Sequence, residues 1–209
     1  KTTPKQRFLI NKAVQEIPDS HKGEFRRLLT QYADVISDNP LDLGNTAMAT
    51  HHIELRDKEP VYTKQFPLNT EEFRLIKENV QQWIKLGIVE PANSSYNSPI
   101  FCVKKKEGQG LRVVLDYRKL NQKTLPERYS IRSVDECIRE VGYAKSKIFT
   151  TLDLTSGFWQ MPLDPKAKDW TAFTVPGDGQ YRWKVSPMGL SGCPATFSRM
   201  MDRIMKGTT

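Results

Sequence analysis

Pro99-Ile100-Phe101-Cys102-Val103-Lys104 and Leu111-Arg112-Val113-Val114-Leu115-Asp116-Tyr117 are two short runs rich in β-branched and aromatic residues. Lys105-Lys106-Glu107-Gly108-Gln109-Gly110 joins them and supplies turn chemistry, so the stretch reads as a β-hairpin with cations at its tip and along one flank. Such a two-stranded ribbon can close over a polyphosphate. Lys104, Lys105 and Lys106 act as point charges, and Arg112 offers a bidentate fork to phosphate oxygens. The same run also reads as a solvated, solubilising loop, and residues 99–117 leave both readings open.

Working outward, the signals alternate between helix and strand. Upstream, Asn69 with Glu72 forms a capping box for a helix whose apolar face is Phe73, Ile76, Val80, Trp83 and Ile84, with Gly87 as its stop. The Pro91–Pro99 stretch is a loop, and His52–Leu55 reads as a short strand. Residues 1–50 read as a helical extension and linker, in which Phe25, Leu28, Leu29, Tyr32, Val35 and Ile36 recur on one face and Ser37-Asp38-Asn39-Pro40 ends the helix. Downstream, a helix starts at Ser133, boxed by Glu136, and ends at Gly142. Strands are expected at Ile148–Leu154, Phe158–Leu163, Thr171–Val175 and Tyr181–Val185, with a turn at Gly177–Gln180. A last helix covers Pro194–Met205 with Phe197, Met201 and Ile204 inward. Helices and antiparallel hairpins mixed in this order give an α+β fold.

Composition narrows the function classes. The chain has 209 residues, 38% of them hydrophobic, and a formal net charge of +8, which favours polyanionic partners such as nucleic acid or an acidic membrane. No apolar run approaches a membrane span and no signal peptide opens the chain, so a location inside the cell, cytoplasmic or nuclear, is expected. Cys102, Cys137 and Cys193 form no CxxC pair and sit among apolar or small residues, which reads as buried free thiols. His21, His51 and His52 lack the spacing of a zinc site. Because position 1 is Lys, the chain is expected to be a processed or trimmed piece.

Two further segments carry chemistry. Asp153 ends the run Phe149-Thr150-Thr151-Leu152-Asp153-Leu154, where a carboxylate is costly unless it is hydrogen-bonded, paired or metal-bound. At a strand end it could hold Mg²⁺ with substrate phosphates, or it could cap the turn at Thr155-Ser156-Gly157. Ser186 through Phe197 places small residues ahead of a helix, letting backbone pass close to a bulky partner, although Pro194 there is also ordinary capping.

In order, Asn97-Ser98-Pro99, Val103–Lys106, Arg112–Asn121, Leu152–Gln160, Pro187–Leu190 and Pro194–Phe197 resemble a reverse transcriptase, in the form found in the Pol polyprotein of gypsy-type LTR retrotransposons. The resemblance covers roughly Ile53 to Met205. It implies a right-handed polymerase with fingers and palm: a fingers-like region over 51–147 with the basic hairpin, and a partial palm over 148–209. Residue by residue, it implies that Lys105 and Arg112 grip the triphosphate of a dNTP, with Leu154 lending backbone near the phosphates. Asp153 would be the first metal-binding, catalytic aspartate. Phe158 would be the aromatic gate against a 2′-hydroxyl, while Gln160 and Gly189 would line the nucleotide and template-primer path. Met188 would stand on the sugar side, but it departs from the pattern: gypsy-type relatives usually carry Phe there and retroviral enzymes Gln.

The implied partners are an RNA or DNA template-primer, a dNTP, and the remainder of Pol or another protein chain. The implied cofactor is Mg²⁺, and its site is expected to be incomplete here. Two-metal transfer needs several carboxylates around ions about 3.5–4 Å apart. The family supplies a paired-aspartate hairpin that residues 1–209, which hold no Asp-Asp pair, do not contain. The expectation is therefore part of an RNA-directed DNA polymerase, inactive by itself. The alternative is a host-domesticated module that binds nucleic acid or protein without chemistry.

Overall fold

The computed structural model describes residues 2–105, 110–145, 147 and 149–207, and divides into two compact units. Lys106, Glu107, Gly108 and Gln109 of the hairpin turn, and Ile148 at the start of the expected palm strand, lie outside the described residues.

The first unit holds residues up to Gly44, together with Leu154–Ser156. Helix α1 (Pro4–Gln15) begins with a capping box between Thr3 and Gln6. Helix α2 (Asp19–Gln31) follows, and then a single 3-10 turn, Ala33–Val35. Ile10, Val14 and Ala33 are buried, with Phe25, Leu29 and Ile36 packed on them. Gln6 Nε2 donates to the carbonyls of Ala33 (2.7 Å) and Ile36 (3.0 Å), tying the end of the unit to its start. The expected face over Phe25–Ile36 is half correct. Leu28, Tyr32 and Val35 are exposed: Leu28 lies inside α2, off the face that Phe25 and Leu29 pack, while Tyr32 and Val35 follow the end of α2 at Gln31, where the tighter 3-10 turn resets the helical phase.

The second unit holds Asn45–Asp153 and the residues from Gly157 onward. Its elements are α3 (Thr70–Lys85), β1 (Val89–Pro91), β2 (Ile100–Lys104), β3 (Leu111–Leu115), α4 (Arg118–Lys123) and α5 (Val134–Ala144), then β4 (Phe173–Val175), β5 (Gly179–Trp183) and α6 (Cys193–Ile204). Strands β2 and β3 form the expected antiparallel hairpin, in which Val103 faces Arg112. Strands β1, β5 and β4 form a second antiparallel sheet in that order, so the fold is α+β. The capping box of Asn69 and Glu72 is present, and Ile76, Val80 and Trp83 are the buried stripe of α3. Gly87 follows that helix at φ +71°, a backbone region that glycine enters without a Cβ penalty.

Several sequence expectations need correction. Phe149–Leu154 is not a strand: it pairs with no described strand, and Phe149, Leu152 and Leu154 are exposed. A β-strand exists only through its ladder partner, and β-branched composition cannot supply one. His52–Leu55 reduces to isolated bridges, His51 with Leu163 and Leu55 with Thr124. Phe158–Leu163 splits into a 3-10 turn, Gly157–Gln160, and bridge residues. In α6 the buried residues are Cys193, Ala195, Thr196 and Met200, while Ile204 is exposed. Cys193 is buried as expected, but Cys137 is exposed on α5. That helix keeps its Ser133 capping box yet buries nothing, leaving Val134, Ile138 and Val141 in solvent.

Candidate functional site

Three of the residues singled out in the sequence meet at one cavity of about 280 Å³ in the second unit. Arg112 comes from β3, and Met188 and Gly189 from the loop between β5 and α6. The rest of the lining is Val113, Val114 and Leu115 of the same strand with Trp83, Trp159 and Trp183. The tryptophans form one aromatic wall: Trp83 stands 4.8 Å from Trp183 and 6.1 Å from Trp159, centroid to centroid, and Phe173 lies edge-on to Trp83 at 6.4 Å. Contacts of this kind add about 0.5–1.5 kcal/mol per pair beyond area burial. The Trp159 indole N–H is buried with no hydrogen-bond partner among the described residues.

The loop at the cavity mouth is nailed at several points. Ser186 is fully buried and its backbone N–H donates to the Met161 carbonyl at 2.9 Å. Gly189 adopts φ +98°, which an L-residue enters only with strain. A Cβ there would stand 3.6 Å from the Tyr117 ring and 3.7 Å from the Leu115 carbonyl oxygen. Tyr117 is buried, and its hydroxyl donates to the Thr171 carbonyl at 3.0 Å. The Cys193 thiol donates to the Pro187 carbonyl at 3.6 Å, and burial pushes that thiol up to about 12, so it carries no thiolate chemistry near neutrality.

The remaining candidates are not among the cavity's lining residues. Lys105 is exposed, with its backbone N–H bonded to the Gly110 carbonyl at 2.9 Å. Phe158 is half-buried and stacks edge-on against Phe197 at 5.5 Å. The Gln160 carbonyl accepts from the Thr46 N–H at 2.8 Å. Asp153 is exposed in the unpaired segment. Leu154, also exposed, groups with the first unit. Arg118 is engaged within the protein, its guanidinium 2.6 Å from Asp116 Oδ2, and its hydrogen bond holds the Asp116 carboxyl below the usual carboxylate range.

A family model described as reverse transcriptase (RNA-dependent DNA polymerase) matches residues 103–209. The chain belongs to the reverse transcriptase family. It is 32% identical over 97% of its length to the retrovirus-related Pol polyprotein from transposon 412 of Drosophila melanogaster, and 35% identical over 91% to that from transposon gypsy of the same fly. It spans only 17% and 19% of those two polyproteins. Among solved structures, it superposes with a TM-score of 0.80 on a prototype foamy virus protease-reverse transcriptase, at 28% identity, covering 98% of this chain and 27% of that one. The foamy viral protease-reverse transcriptase in complex with ds DNA gives a TM-score of 0.77 at 27% identity, covering 98% of this chain and 36% of that one.

Reverse transcriptases as a family use a divalent metal, which frames how this site must be tested. Among the described residues no three His, Cys, Asp or Glu side chains come together to hold a metal ion, and Asp153 brings a single exposed carboxylate. One carboxylate does not fix a pair of ions, so the described residues do not fit the two-metal centre. No helix among the described residues is long and apolar enough to cross a bilayer.

No single stretch of the sequence marks the tryptophan wall. Trp83 carried only a helix-packing signal, and Trp159 and Trp183 sat in runs that read as ordinary strands. Their convergence is a tertiary fact with no local signature.

Proposed function

We propose that the chain binds template-primer and a deoxynucleoside triphosphate as part of an RNA-directed DNA polymerase. The observation that carries this reading is the meeting of Arg112, Met188 and Gly189 at one tryptophan-walled cavity, although β3 and the β5–α6 loop are distant in sequence. Arg112 faces the triphosphate as a bidentate cation, and Lys105, at the end of the same hairpin, adds a point charge. Met188 presents a flexible thioether to the sugar. Gly189, bare of a Cβ, lets the template-primer or nucleotide approach the backbone.

In the same reading Phe158 is the ring that meets the 2′ position, and its stacking on Phe197 holds it in one orientation. Gln160 lies along the template-primer path. Asp153 is the catalytic carboxylate of the family pattern. By itself it does not assemble a metal centre, so residues 1–209 alone bind and do not extend a primer. The rest of a Pol chain supplies what is missing.

Binding is read by quenching of tryptophan fluorescence as dNTP is added to the 209-residue chain in magnesium buffer, and separately by anisotropy of a labelled template-primer. The expected result is saturable quenching that weakens on the order of tenfold in Arg112→Ala, the loss of one charge-assisted contact. Wild-type protein that gives no quenching and holds no duplex at low salt overturns the reading.

A further inference from the structure

Asn121, in α4, reaches across to the loop between β5 and α6. Its side chain makes two hydrogen bonds to the main chain of one short loop. Nδ2 donates to the Gly189 carbonyl at 2.8 Å, and Oδ1 accepts from the Ser191 N–H at 3.0 Å. Serving one acceptor and one donor at once requires a primary amide; a carboxylate lacks the donor and a hydroxyl lacks the span. Between the two anchor points lies Leu190, which is buried, and just ahead lies Met188, 53% exposed at the cavity mouth.

The loop needs such a brace. Ser186 and Cys193 hold its two ends, to the Met161 and Pro187 carbonyls. Neither bond reaches Gly189, whose left-handed backbone aims its carbonyl in a direction that local sterics do not enforce. Asn121 itself is held firmly. Its backbone N–H donates to the Tyr117 carbonyl at 2.7 Å, in the turn where the buried Tyr117 ring backs Gly189.

We propose that Asn121 is a positioning residue: its amide braces the Gly189–Ser191 backbone from beneath and so sets where Met188 and Gly189 stand at the cavity mouth, and hence how tightly a nucleotide is held. This rests on the nucleotide-binding reading above. Asn121 touches no ligand in it and acts through the loop.

The test compares the wild-type chain with Asn121→Ala and Asn121→Asp, well below the melting temperature of each. Amide exchange at Ser191 and the Met188 methyl resonance report on the loop. In Asn121→Ala, Ser191 exchange should accelerate on the order of tenfold, the weight of about one hydrogen bond. In Asn121→Asp the acceptor survives, so Ser191 stays protected within about twofold while the Gly189 carbonyl now faces a carboxylate. The Met188 methyl signal should shift in both.

Nucleotide affinity should fall about tenfold in both variants at a temperature where each is fully folded, an effect that general destabilisation would not produce there. An unchanged Ser191 exchange rate and Met188 signal in Asn121→Ala overturns the brace. A moved loop with unchanged nucleotide affinity overturns the positioning role. Wild-type protein that fails to bind nucleotide, while the loop reporters still respond, overturns the nucleotide reading and with it the positioning role, and leaves only the brace standing.

Discussion

His51 Nδ1 lies 2.8 Å from Thr196 Oγ1, joining the segment ahead of Ile53 to the start of α6. The His51 ring is 1% exposed, and its Cε1 would stand 3.0 Å from a Cβ on Gly192, so a side chain at that N-cap would press on the ring and the ring would have to give by a few tenths of an ångström. Thr196 Oγ1 also lies 3.2 Å from Glu127 Oε2, so three chain segments meet at this one hydroxyl.

Stability should therefore fall in mild acid. Burial lowers the His51 imidazole from 6.5 to about 4, against a smaller opposing pull from Glu127. The folded state holds the ring neutral while the unfolded chain protonates it near 6.5. The stabilisation is fully present above that value and is lost as pH falls from about 6.5 toward 4, with a total of about 3 kcal/mol. Urea midpoints taken between pH 7.5 and 4 should show this slope, and His51→Gln should flatten it. An unchanged slope in the variant would assign the effect to other groups.

Gly189→Ala should destabilise the fold by about 1–2 kcal/mol, because the cost comes from φ +98°. The added methyl meets only ordinary contact distances at Tyr117 and Leu115. Chemical denaturation should show a lower midpoint with an unchanged m-value, whereas a change in m would point to a rearranged loop.

Ile76→Ala removes a side chain with no exposed surface from the stripe of α3. It should cost about 2–5 kcal/mol, the range for buried aliphatic residues cut to alanine. Calorimetry should record the drop. A change under about 1 kcal/mol would mean that the site collapses freely, against the packing described here.

Salt dependence should separate the cations. If Lys105 contacts a phosphate, Lys105→Ala lowers the slope of log affinity for a duplex against log salt by about one. Arg118→Ala should leave the slope nearly unchanged, because its guanidinium is already engaged by Asp116. Equal effects of the two substitutions would show that the basic surface acts diffusely.

The candidate site was legible in part, and the pattern of success has a physical cause. Capping boxes at Asn69 and Ser133 and the hairpin around Val103 and Arg112 are local devices, complete within a few residues, and the structure contains all of them. Phe149–Leu154 shows the opposite case. Its composition favours a strand, but pairing depends on a partner, and no described strand lies beside it. The expected stripe fails at Tyr32 and Val35 because a change of helix type, invisible to a fixed 3.6-residue period, intervenes after Gln31.

From its sequence alone, this chain already determined the helix starts at Asn69 and Ser133, the basic hairpin, the excess of positive charge and the ordered motifs that mark its family, since each depends on neighbours along the chain. Tertiary structure alone decided that three tryptophans from α3, the Gly157–Gln160 turn and β5 would wall one cavity with Arg112 and Met188 at its edge, and that Asn121 would brace the loop beside it. Those relationships join residues far apart in sequence, and they arise only when burial of the apolar faces brings the elements together.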